Sequence, residues 1–122
     1  MKKINFFIFL FLFISGLSFS YGVDKEVFKN KCITEVENFM ENPRNYRDTG
    51  EIEKVCKEYL NLEDNKNSKG FASVNFYLGL LHYLKGEYDK AEKYYLKALN
   101  IFEKTLPPNH PYLASTYLNL GV

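Results

Sequence analysis

Cys32, Cys56, His82 and His110 have the widest chemical range in this 122-residue chain, and several carboxylates stand close to lysines. The two cysteines allow one internal pairing, so they are either a disulfide or two packed thiols. There is no C-x-x-C, no histidine stands near either cysteine, and two ligands do not close a zinc site. His82 lies among apolar neighbours in a helical run and is expected to be packed or hydrogen-bonded, because a metal site needs several converging ligands. His110 precedes Pro111, where capping a helix explains it better than catalysis. Glu35, Glu37 and Glu41, like Glu87 and Asp89, are interspersed with lysines. That pattern suits a solvated helix face, whereas an acid–base pair needs shifted pKa values in a cleft. No Ser, His and Asp set has supporting context, and there is no glycine-rich phosphate loop. The expectation is a protein that is not an enzyme, with no metal and no cofactor.

The segments that carry these residues begin after a leader. Met1-Lys2-Lys3 is followed by an apolar stretch from Ile4 to Ile14, interrupted only by Asn5, and then by small residues through Ser20. This is the form of a secretory signal peptide over residues 1–20 with a cut before Tyr21, which implies an exported, periplasmic or secreted protein. The alternative is an uncleaved anchor, since Ile4 to Tyr21 is close to bilayer-spanning length. Membrane association is expected only through this segment. Loss of Lys2 and Lys3 leaves 14 basic against 15 acidic residues, a near-neutral chain without the basic stripe that nucleic-acid binding requires.

Five helices and no strands are expected beyond the leader. Asp24 caps the first, which reaches about Met40 and is broken by Asn42-Pro43. The second starts near Asp48 or Thr49, with Asp48 and Glu51 as a capping pair and Ile52, Val55, Cys56, Tyr59 and Leu60 as its apolar stripe. If the apolar sides of these two helices face each other, a Cys32–Cys56 bond would stabilise the pair by roughly 3 kcal/mol. A polar loop from Asn61 to Lys69 leads to Ser68 as cap of a third helix, from about Gly70 to Lys85. Gly86 makes the turn to a fourth helix, from about Tyr88 to Lys104. Asn109 or His110 caps a fifth, with Pro111 as its first residue.

A repeat organises the second half. Phe71 to Leu80 returns as Leu113 to Val122 at an offset of 42 residues, with Ala72/Ala114, Ser73/Ser115, Leu78/Leu120 and Gly79/Gly121 identical. Such a period signals stacked units that bury their apolar faces on one another. Within the unit, Gly79 and Ala91 permit close helix approach, and a mid-helix glycine, at about 1 kcal/mol relative to alanine, needs such a reason. Gly86 fits the turn, Tyr88 and Tyr95 fill space beside the small residues, and Ala98 leaves room for the next unit. Leu78, Leu120 and Gly121 take the matching packing places. A fainter copy lies upstream: Gly50 to Leu60 and Gly86 to Leu96 share six of eleven residues.

This pattern resembles the tetratricopeptide repeat, in the 42-residue form found in kinesin light chains. The resemblance covers Gly70 to Val122, one full repeat plus the start of the next, and departs at Asn75 and His82, where an aromatic and a tyrosine are usual. It implies an all-α fold, antiparallel helix-turn-helix repeats stacked as a short α-solenoid. Residues 21–69 then form a divergent N-terminal hairpin and residues 70–122 the repeat region. In the family the first helix of each repeat lines a groove for a protein or peptide partner. Carried over, the groove residues are Ser73, Phe76, Leu80, Tyr83, Ser115, Leu118 and Val122, with Phe76 and Tyr83 as aromatic anchors. Phe76 and Leu80 stand where some members clamp a terminal carboxylate with Lys and Asn, so that mode is not implied. The main reading is an exported protein-binding module. The alternatives are a truncated fragment of a longer repeat protein, or a membrane-tethered structural subunit that associates with itself through its open C-terminal helix.

Overall fold

The computed structural model describes residues 24–121; the expected leader and Val122 lie outside them. Five α-helices follow in order: α1 Lys25–Glu41, α2 Gly50–Leu62, α3 Lys69–Leu84, α4 Tyr88–Thr105 and α5 Pro111–Leu120, with a 3-10 turn at Pro43–Asn45 between the first two. The described residues contain no strand, and no described helix is long and apolar enough to cross a membrane.

Local chemistry sets most of the helix starts. The Asp24 side chain accepts from Glu26 N at 3.0 Å, and Ser68 Oγ accepts from Phe71 N at 3.0 Å, each satisfying a donor that the first turn leaves free. His110 caps α5: its Nδ1 accepts from Tyr112 N at 3.1 Å, with Pro111 as the first helical residue. At α2 the expected Asp48/Glu51 capping pair does not form. Thr49 holds the cap position without a side-chain bond, while Asp48 Oδ1 accepts from Gly50 N at 2.7 Å. Asp48 thus closes a local turn onto the first residue of the helix. Glu87 precedes α4 without capping it, its carboxylate being engaged by His82.

Neighbouring helices pack in chain order, and α1 and α2 also rest on α3. The short connections make the paired helices antiparallel. In the first hairpin Cys32 and Val36 face Ile52, Cys56 and Tyr59, and Cys32 and Cys56 are joined in a disulfide. In the second, Leu78 and Leu81 of α3 and Ala91, Tyr95 and Ala98 of α4 are buried. A Cβ on Gly79 would come within 2.7 Å of a Tyr95 ring carbon, so the glycine admits that ring and answers for its helix-propensity cost. Gly86 turns the chain between α3 and α4 at φ +79°. Ala72 is also buried, and the core extends to Leu113 of α5.

Two expectations, for Tyr88 and Phe76, are corrected. Tyr88 fills no space in the core: it is 62% exposed and rests on Tyr83, ring centroids 5.4 Å apart. Tyr88 is the first residue of α4, and it is Ala91, three residues on, that enters the core. Gly121 stands at the place that matches Gly79 in the repeat. Its φ is +79°, and its N–H donates to Leu118 O. Phe76 is only 6% exposed. It is ringed by Tyr77, Tyr95, Phe102 and Tyr112, with centroids 5.4 to 6.4 Å away, so it packs the junction of α3, α4 and α5 rather than presenting an anchor.

Candidate functional site

The reactive side chains are spoken for by structure. The disulfide leaves no free thiol among the described residues. The His82 ring is 2% exposed and stacks on Tyr94 at 5.5 Å with the planes 2° apart. Its Nδ1 lies 2.6 Å from Glu87 Oε1. A carboxylate only accepts, so Nδ1 carries the hydrogen and Nε2 is left on the side of Glu53, whose Oε1 is 3.8 Å away. That hydrogen bond, with the nearby Lys85 and Lys90 ammonium groups, holds the Glu87 carboxyl below its usual range against the opposing effect of desolvation. Lys85 ties the group together, 3.3 Å from Glu53 and 3.5 Å from Glu87. His82, Glu53, Glu87 and Lys85 thus lock α2 to the α3–α4 turn. Among the described residues no three His, Cys, Asp or Glu side chains converge as metal ligands would. His110 is occupied as a cap.

The residues of the expected groove are divided. Ser73, Leu80 and Ser115 are half-buried, and Phe76 is buried. Tyr83 is 40% and Leu118 77% exposed. Val122 lies outside the described residues. Of this set only Tyr83 borders a cavity of about 220 Å³, which it shares with Tyr88, Asp89, Glu92, Asn119 and Leu120. Tyr95 and Ala91 close the inner wall. Asn119 Nδ2 donates to Tyr95 Oη across it at 2.9 Å. Tyr95 is the inner anchor of the wall, and burial raises its hydroxyl pKa above the ordinary phenol range.

A second cleft, of about 260 Å³, opens on the other side of α4. Lys57 and Glu53 of α2 form one wall, Lys90, Lys93 and Lys97 of α4 the other, and the His82–Tyr94 stack its floor. In the sequence these lysines belong to a generally solvated helix surface. Their spacing of three and four residues on α4 was a legible signal that they share one face. That α2 closes the cleft from the opposite side was not legible, because it depends on how one hairpin rests on the other.

Comparison with known proteins places one part of the chain. Residues 71–122 match the family model described as tetratricopeptide repeat. No match was found among curated proteins or among solved structures.

Proposed function

We propose, from the premise that residues 71–122 belong to the tetratricopeptide repeat family, that this chain is an exported protein–protein interaction module. The family match is the observation that carries the reading, since the repeat is an interaction scaffold. Its partner surface is the side of α3 and α5 that carries Ser73, Leu80, Tyr83, Ser115 and Leu118. Exposed Tyr83 and Tyr88, whose rings lie 5.4 Å apart, support this, because exposed tyrosines are common anchors of a partner segment. The Cys32–Cys56 bond supports export, because disulfides persist in oxidising compartments.

Photoreactive residues placed at Ser73, Tyr83 and Leu118 test the surface, with Glu41 and Glu58 as controls on α1 and α2. Adducts to a defined partner from the first three positions alone are expected. Equal labelling from the controls, or none from α3 and α5, overturns the assignment. Export is tested by the intact mass of the natural product with and without reductant. A chain that begins at Tyr21 and gains two hydrogens on reduction of Cys32–Cys56 is the expected result.

A further inference from the structure

The charges of α4 are sorted by face. Asp89 and Glu92 border the cleft beside Tyr83, whereas Lys90, Lys93 and Lys97 border the cleft facing α2. Composition does not require this, because acids and bases are nearly balanced in the chain. Lys57 adds a fourth ammonium from the opposite wall, and Glu53 is the one carboxylate in the lining. Glu53 is already shared, 3.3 Å from Lys85 and 3.8 Å from Lys57. None of the ion pairs among the described residues uses Lys90, Lys93 or Lys97. Lys97 is steered over the Tyr94 ring at 5.8 Å, so its head stays at the mouth of the cleft.

We propose that this cleft between α2 and α4 is a docking site for an acidic peptide segment, one with carboxylates at alternate positions. The dimensions fit. Lys90 to Lys97 spans seven residues of helix, about 10 Å along its axis at 1.5 Å per residue. An extended peptide places every second side chain on one face, about 7 Å apart, so two carboxylates reach successive lysines. An extended acidic peptide fits better than a nucleic acid, whose binding draws on a continuous basic stripe along many phosphates. Four lysines confined to one short cleft make no such stripe. The site is separate from the α3–α5 surface, on the far side of α4.

The test is fluorescence anisotropy of the purified chain with a labelled decapeptide carrying glutamate at alternate positions, beside its glutamine counterpart and a single-stranded oligonucleotide of equal charge. Binding of the glutamate peptide alone is expected, weakening as salt screens these exposed charges. Lys93→Ala with Lys97→Ala should weaken it about tenfold, an effect on the order of 1.4 kcal/mol. Lys54→Ala with Lys104→Ala, the same change in net charge outside the cleft, should weaken it less than about twofold. These positions are exposed on helices that alanine favours, so the fold is retained. Equal binding of the glutamine peptide, equal effects of the two lysine pairs, or tighter binding of the oligonucleotide overturns the proposal. Tyr83→Ala with Leu118→Ala should leave peptide binding unchanged, so the cleft and the α3–α5 surface fail or stand separately.

Discussion

Helix α1 of the first hairpin buries Cys32 and Val36 alone, whereas α3 of the second buries nine of its residues. The sparse interface is held by a disulfide and by the polar knot around Glu63, which accepts from Tyr59 Oη and Asn65 N at 2.9 Å and from Lys25 Nζ at 3.2 Å. The dense one is held by shape, a tyrosine ring seated on a glycine. Where apolar area is short, directed bonds replace it; where it is ample, small residues tune the distance between helices. The same sequence frame, Gly-Glu followed by Lys, Lys, Tyr and Leu at matched spacing, serves both.

The largest effect is expected in the dense hairpin. Tyr95→Ala should cost about 3–5 kcal/mol in denaturant unfolding, as for other large aromatics emptied from a core. Gly79→Ala alone should cost about 1–3 kcal/mol through overpacking, yet be tolerated or stabilising in the Tyr95→Ala background. A double-mutant cycle that returns simple additivity would break the ring-on-glycine account.

Opening the disulfide by Cys32→Ala with Cys56→Ala comes next, at about 3 kcal/mol for a bridge of this loop length. The loss should be local. Amide exchange is expected to accelerate in α1 and α2 while α3 and α4 keep their protection, and uniform acceleration would mean that the two hairpins are not distinct.

Glu63→Ala should remove about 1–3 kcal/mol, since it strands the buried Tyr59 hydroxyl. The ionised carboxylate is favoured by the Asn65 N–H first, then by the Tyr59 hydroxyl and Lys25, so its pKa lies below the usual value despite desolvation. A depressed folded-state pKa means that this stability is fully present above the unfolded carboxyl value and is lost as pH falls through the folded one. Acid unfolding of the natural chain should therefore be steeper over that window than that of Glu63→Gln, and identical slopes would contradict the knot. Burial and the Glu63 contact push the Tyr59 hydroxyl up to about 12, so its phenol stays a donor at neutral pH.

Gly86→Ala is the smallest of these, about 1–2 kcal/mol, because a side chain there must adopt the left-handed conformation. Thermal unfolding measures it, and no loss would mean that the α3–α4 turn relaxes freely.

Much of the architecture was legible. The 42-residue offset, the helical stripes and the caps Asp24 and Ser68 give the helices and their order, because they depend on residues a few positions apart, while the structure chose His110 over Asn109 as the cap of α5. Tyr88 and Phe76 were misplaced for one reason: periodicity says which side of a helix is apolar, but not where the neighbouring helix ends or which rings close over it. Asn75, fully buried with Nδ2 bonded to Phe71 O at 2.9 Å and Oδ1 without a partner among the described residues, was visible only as a departure from the repeat pattern.

Sequence alone determined the helical class, the repeat and the pairs of residues able to meet along one helix, since these follow from backbone geometry and short-range chemistry. Tertiary structure decided that Cys32 reaches Cys56, that His82 bridges toward Glu53 and Glu87, and that α2 and α4 draw four lysines around one cleft. Each of these joins residues from separate helices, and their distance is set by how the helices pack, which side-chain volume and burial fix only when the whole core closes.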